Sequence, residues 1–127
     1  MLISNVDFHV VEEQLSNTKE INVGFDIFDR TYFQISDGSS TAYAIIYDLF
    51  DDCPELARFF VLQEYRNSGF GKLAAVSLLK YLFETKTKIL IDPVEESIGF
   101  WCKVADAFGS ELEYEEIYGS KGIWKKI

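Results

Sequence analysis

The stretch "VLQEYRNSGFGKLAAV", residues 61–76, constrains this chain more than any other. An apolar, strand-like run meets the turn Arg66-Asn67-Ser68-Gly69-Phe70-Gly71-Lys72, and an amphipathic helical pattern follows. Leu73, Val76, Leu79, Leu82 and Phe83 recur at spacings of three and four. That predicts a helix from Gly69 to about Glu84 with those residues inward. Two glycines and two cations at a strand-to-helix junction have two readings. Either the turn is merely tight, or it holds something negative. The first amides of a helix lack partners within it, the helix dipole lies behind them, and glycine admits close backbone approach.

The other elements are short and closely spaced, with no repeat, low-complexity tract or linker. Residues 31–36 read as a strand, Asp37-Gly38-Ser39-Ser40 as a turn, and residues 41–50 as a second strand rich in Tyr and Ile. Asp51-Asp52-Cys53-Pro54 breaks it, and residues 55–62 form a third. Ile89-Leu90-Ile91 predicts a buried central strand, stopped by Pro93. "EESIGFWCKVADAF" reads as a second helix, with Glu95 and Glu96 where acids suit the dipole. Its inward face is predicted to be Ile98, Trp101, Cys102, Ala105 and Phe108. "ELEYEEI" and "GIWKKI" close as a hairpin around residues 118–122. Earlier, "VDFHVVEEQL" reads as a strand running into a short helix, and "INVGFDIF" as strand or loop. The order predicts one α/β (α+β) domain over residues 1–127.

At 127 residues, with 48% hydrophobic and 16% aromatic residues, the chain can bury a core without metals or disulfides. Cys53 and Cys102 are too few for a disulfide framework or metal cluster, and read as reduced thiols in a cytoplasmic protein. The first residues carry acids and no basic leader, and no apolar run approaches roughly 20 residues. Neither a signal peptide nor a membrane span is therefore expected. A net charge of −9 with scattered cations speaks against nucleic acid. Such acidity favours a cationic amine partner, or serves solubility alone.

Common phosphate loops do not match the turn. A Walker loop needs Ser or Thr where Leu73 stands, and glycine where Arg66 stands. A dinucleotide fingerprint has its third glycine at Ala74, a tolerated change, but needs a longer series of strand–helix units than this chain supplies. R-x-x-G-x-G between an apolar strand and a helix instead resembles the acyl-CoA-binding motif of the GNAT superfamily of N-acetyltransferases. There the segment commonly reads V-x-P-x-Y-R and then G-x-G-x-G. Val61, Tyr65, Arg66, Gly69 and Gly71 match, while Gln63 replaces the frequent proline and Asn67 the first glycine. Downstream, "ILIDPVEESIGFWCKV" is similar to the family's next strand and helix, which often contain N-x-x-A-x-x-F-Y-x-K. Phe100 and Lys103 match that pattern, whereas Val94, Ser97 and Trp101 depart from it. The resemblance covers roughly residues 31–127.

The resemblance implies a single GNAT-like domain with a mixed, mostly antiparallel central sheet flanked by helices. It implies acetyl-CoA as co-substrate, no metal, and direct acetyl transfer to a primary amine. The CoA phosphates would lie on the backbone of Arg66, Asn67, Ser68, Gly69, Phe70, Gly71 and Lys72, with Val61 and Leu62 beside the pantetheine arm. An amine attacks only when neutral, so a base must take its proton. Glu55, at the start of the strand leading to the motif, is the first candidate. Asp92 is the second, with a simple cap before Pro93 as its plain reading. The single histidine, His9, reads as structural. The family's tyrosine, suited to protonating the departing thiolate, is replaced by Trp101, which has no readily lost proton. Tyr118, Cys102 or water would have to serve. That departure keeps a second function open, a non-catalytic GNAT-fold protein that senses acetyl-CoA. By alternation, Glu111, Glu113 and Glu115 share a strand face that either lines a cationic acceptor site or is simply solvated. Aromatic edge strands such as residues 43–50 or the C-terminal hairpin leave a homodimer open.

Overall fold

Alternating apolar residues turn the first half of the chain into an antiparallel meander. In the computed structural model, which describes residues 1–16 and 29–127, β1 (Leu2–Asn5), β2 (Arg30–Ser36), β3 (Thr41–Tyr47) and β4 (Glu55–Val61) pair in chain order. Helix α1 (Phe8–Ser16) follows β1, so the strand-then-helix reading of "VDFHVVEEQL" resolves into a helix preceded by a separate strand. The segment "INVGFDIF" lies outside the described residues. The Asp37 carboxylate closes the β2–β3 turn by accepting from the backbone N–H groups of Ser39 (2.8 Å) and Ser40 (2.7 Å). Those bonds favour the charged form and hold its pKa below the ordinary aspartate value. β3 stops at Tyr47 rather than Phe50, because Asp48 turns into the left-handed region at φ 55°.

Past β4 the topology changes. Helix α2 (Phe70–Leu82) carries the chain back to β5 (Lys88–Ile91), which runs parallel to β4. Such a pairing needs a crossover of this kind. Helix α3 (Ile98–Phe108) then leads to β6 (Leu112–Tyr118) and β7 (Lys121–Lys126), and β7 inserts between β5 and β6. The sheet order is β1-β2-β3-β4-β5-β7-β6, with one parallel contact in an otherwise antiparallel ladder. This is the mixed, mostly antiparallel sheet that the resemblance implies. β5 is central as expected, with Ile89 and Ile91 buried.

Each face of the sheet carries its own core. On the α2–α3 side, Phe33, Ile35, Ile46, Leu78, Leu79, Ile89 and Val104 pack together. On the other side, Val11 of α1 packs with Tyr32, Tyr43, Ile45 and Phe60. In α2 and α3 the buried face keeps part of the predicted stripe, Leu79 and Leu82 with Phe83 at the C-cap in the first and Trp101 and Phe108 in the second, and departs from the rest. In α2 the buried residues are Phe70, Ala74, Ala75, Leu78, Leu79 and Leu82, and Leu73 is 61% exposed. Two alanines against the sheet let the helix approach closely, which larger residues would prevent. In α3 the buried stripe is Trp101, Val104 and Phe108, while Cys102 is exposed. Trp101 and Phe108 belong to both stripes, and the difference is that Val104 rather than Cys102 fills the space between them. Lys126 Nζ donates to the Phe83 carbonyl at 3.2 Å, placing a cation at the C-terminal end of α2. No helix among the described residues is long and apolar enough to cross a membrane.

Candidate active site

β4 and β5 pair only through Glu55–Leu90 and Leu56–Ile91. Two causes force them apart beyond that point. Ile45 pairs with Arg58 and Ile46 with Leu56, so Ala57 is a bulge residue that bends β4. Pro93 cannot continue a ladder, so β5 ends at Ile91. The strands splay, and a cleft of about 190 Å³ opens between them. It is lined by residues 56–59 of β4, by Ile91 at the end of β5 and residues 92–94 beyond it, and by Ser97, Phe100 and Trp101 at the start of α3.

The turn from residue 62 to residue 69 closes the far end of β4. A 3-10 turn at Gln63–Tyr65 is followed by Asn67 at φ 63° and Gly69 at φ 83°, both left-handed. Asparagine is among the few side chains that enter this region readily, so the replacement of a glycine by Asn67 preserves the conformation. Arg66 Nε donates to the Val61 carbonyl at 2.8 Å, and Ser68 Oγ to the Tyr65 carbonyl at 2.9 Å. These bonds tie the turn to the strand it leaves.

The two glycines have different reasons. Around Gly69 there is open space, and only its positive φ demands glycine. At Gly71 a Cβ would stand 3.2 Å from Val61 Cγ2 and 3.5 Å from Phe100 Cε2. Gly71 is therefore needed for close helix–strand–helix packing, not for the approach of a phosphate. The helix N-cap is Gly69, which has no side-chain cap, and the first helical bond runs from Leu73 N–H to the Gly69 carbonyl at 3.4 Å. The amides of Phe70, Gly71 and Lys72 thus precede any helical acceptor. The Phe70 side chain is 4% exposed and belongs to the core, so only its backbone faces the turn. Lys72 is exposed.

Glu55 stands at the apex of the splay. Leu56 packs into the α2–α3 core, so alternation directs Glu55 to the opposite face, beside its partner Tyr47. Partial burial pushes the Glu55 carboxyl up, Lys121 pulls it down, and Asp92 and Asp48 push it up further. The ladder explains that company. Ile91 pairs with Gly122, so the next step beyond β5 brings Asp92 opposite Lys121. Ser120 Oγ also reaches the Pro93 carbonyl at 3.4 Å, which ties the β6–β7 turn to the end of β5. Asp92 and Lys121, the latter not singled out by sequence reasoning, therefore lie near enough to Glu55 to act on its charge. Tyr118 lies at the end of β6, 84% exposed, and does not line the cleft. His9 is exposed on α1, its Nδ1 4.0 Å from Glu12. Of the three acids expected to share a strand face, Glu113 and Glu115 lie in β6, while Glu111 falls in the 3-10 turn at Gly109–Glu111. Glu115 Oε2 is 3.1 Å from Lys125 Nζ.

Trp101 lines the cleft, half enclosed by aromatic rings. Its indole meets Phe100 (5.0 Å), Phe59 (5.8 Å) and Trp124 (6.1 Å) edge-on. Phe59 and Ala57 were silent in the sequence. Their roles come from the bulge, which has no local signature.

No family model matches the chain, and no curated protein matches it by sequence. Solved structures do match, and they agree in class. A mutant form of spermidine N-acetyltransferase from Vibrio cholerae superposes with TM-score 0.66, over 99% of this chain and 95% of that one, at 13% identity. The ribosomal-protein-S18-alanine N-acetyltransferase from Escherichia coli gives 0.58 over 97% and 89%, again at 13% identity. A GNAT-family acetyltransferase from Staphylococcus aureus gives 0.56 over 98% of each chain, at 13% identity. The fold of this chain is the GNAT fold.

Proposed function

We propose that residues 1–127 form one acetyltransferase domain that moves an acetyl group from acetyl-CoA directly to a primary amine, in the cytoplasm. The observation that carries this reading is the junction at the end of β4. The strand parts from its parallel neighbour and leads into a 13-residue helix whose N-terminus no side chain caps. The residues suit CoA: the amides of residues 67–72 would meet its phosphates, assisted by Arg66 and Lys72, with Val61 and Leu62 beside the pantetheine arm. When bound, acetyl-CoA supplies a thioester whose carbonyl carbon forms the new C–N bond as the C–S bond breaks. Among the described residues the β5-facing side of β4 has no strand partner over residues 57–61, and a backbone N–H there would donate to the developing oxyanion. Glu55, on the opposite face, would take the proton that the amine must lose, with Asp92 beside it. The proton needed by the leaving thiolate would come from water, since Tyr118 does not line the cleft. The acceptors named for two of the superposed structures, spermidine and a protein alanine, are amines, as is the cationic acceptor proposed here.

A second reading, an acetyl-CoA-binding protein without turnover, is favoured by one observation. The position where the family's tyrosine stands holds Trp101, 9% exposed and packed among aromatic rings. Calorimetry with acetyl-CoA tests both readings, and absence of binding at sub-millimolar ligand would reject both. Thiol release across a panel of amines then separates them, because only the enzyme shows amine-dependent release.

A further inference from the structure

Behind Trp101 lies a second cavity of about 240 Å³, between α3 and the β6–β7 hairpin. Ile91, Pro93 and Trp101 line both this cavity and the cleft. Ile91 is held in the ladder between Leu56 and Gly122, and Pro93 is bound by its own ring. Trp101 is the one large side chain in the shared wall. Phe59 and Phe100, which touch one side of its indole, line the cleft and not the second cavity. Trp124, which touches it from elsewhere, lines the second cavity and not the cleft. The indole therefore stands between the two spaces.

The second cavity is mostly apolar. Its polar groups are those of Cys102, Tyr114 and Ser120 and the indole N–H groups of Trp101 and Trp124, and the Ser120 hydroxyl is turned to the Pro93 carbonyl. Such a lining suits methylene groups and disfavours a charge.

We propose that Trp101 sets the length of the acyl chain this protein accepts: its indole closes the cleft behind an acetyl-sized group, and the cavity beyond it admits a longer chain once the indole is removed. This rests on the cleft being the thioester site. Each methylene newly buried in the cavity contributes about fourfold in affinity.

The test is calorimetry of acetyl-, butyryl- and hexanoyl-CoA against the wild-type chain, Trp101→Leu, and Trp101→Leu combined with Ala105→Phe. Ala105 lines the second cavity and not the cleft. The wild-type chain is expected to bind acetyl-CoA about tenfold or more tightly than hexanoyl-CoA. Trp101→Leu is expected to narrow or reverse that ratio by about tenfold or more, and Ala105→Phe to cancel the change by refilling the cavity. If Trp101→Leu does not fold, Trp101→Phe keeps an aromatic ring in the cluster and is expected to shift the ratio in the same direction by less. A wild-type chain that binds all three thioesters equally, or a ratio that no Trp101 variant moves, overturns the proposal while leaving the CoA site standing. A wild-type chain that binds none overturns the CoA site and this inference together.

Discussion

Val61 Cγ2 lies 3.2 Å from the point where a Cβ on Gly71 would stand, so α2 starts as close to the end of β4 as a glycine allows. Phe100 closes the other side at 3.5 Å. Gly71→Val is therefore expected to destabilise the fold by about 1–3 kcal/mol, through overpacking of the helix against the strand. A Cβ at Gly69 meets no atom, but Gly69→Val must adopt φ 83°, at a cost of about 1–2 kcal/mol. Denaturant melts and acetyl-CoA titrations distinguish the two positions. The Gly69 variant is expected to lose affinity for the CoA phosphates while remaining folded. Unchanged affinity would count against the turn as a phosphate cradle.

Glu55→Gln is expected to lower turnover roughly 10²–10⁴-fold while leaving acetyl-CoA affinity nearly unchanged. The stability effect has the opposite sign. Partial burial raises the Glu55 pKa in the folded state, so the folded chain holds more protons than the unfolded one between the ordinary glutamate value and the raised one. Stability falls as pH rises through that window, and the ionised carboxylate carries the full cost above it. Glu55→Gln should thus raise Tm at neutral pH, with the gain fading as pH falls through the window. A lower Tm at neutral pH would contradict the assignment.

The acid limb of the rate profile gives a separate check. Lys121 pulls the Glu55 pKa down, whereas Asp92 and Asp48 push it up. Lys121→Met should move the acid limb of kcat/KM to higher pH, and Asp92→Asn to lower pH. Limbs that stay in place in both variants would remove Glu55 from the role of base.

Tyr114 of β6 lies diagonally across from Gly122 of β7, since the register pairs Tyr114 with Trp124 and Gly122 with Glu116. A Cβ on Gly122 would fall 2.2 Å from Tyr114 Cε2, so the ring lies directly over the glycine. Gly122→Ala must push the half-exposed ring aside, an easy move for the far end of a side chain, and is expected to destabilise by no more than about 1 kcal/mol. In the Tyr114→Ala background the same change should cost less, giving a coupling of up to about 1 kcal/mol in a double-mutant cycle. Additive effects would show that the ring does not rest on the glycine.

The buried face of α2 can be read from two leucines. Leu78 is fully buried, and Leu78→Ala is expected to cost about 2–5 kcal/mol. Leu73 is 61% exposed, and Leu73→Ala should stay within about 0.5 kcal/mol of wild type. Comparable losses at both positions would restore the face that spacing alone predicts.

From β2 onward the element order was legible in the sequence because its signals are local, whereas β1 lies before the stretch read as strand and helix. Alternation marks β2 and β3, Pro93 ends β5, and the turn at residues 66–72 joins β4 to α2 whatever surrounds it. The helix faces were less legible, since Leu73 and Cys102 fit an apolar stripe as well as Ala74 and Val104 do. Periodicity finds a stripe, but the volume available against the sheet chooses among rival stripes. The strand–turn–helix unit, with glycines at residues 69 and 71, is written in the local pattern of residues 61–76. Why each glycine is needed, where β4 leaves β5, and the nearness of Lys121 and Asp92 to Glu55 emerge from contacts between elements. The physical reason is range: backbone conformation answers to neighbouring residues, whereas a splayed strand pair, a bulge at Ala57 and a wall made of Trp101 depend on contacts between elements distant in the chain.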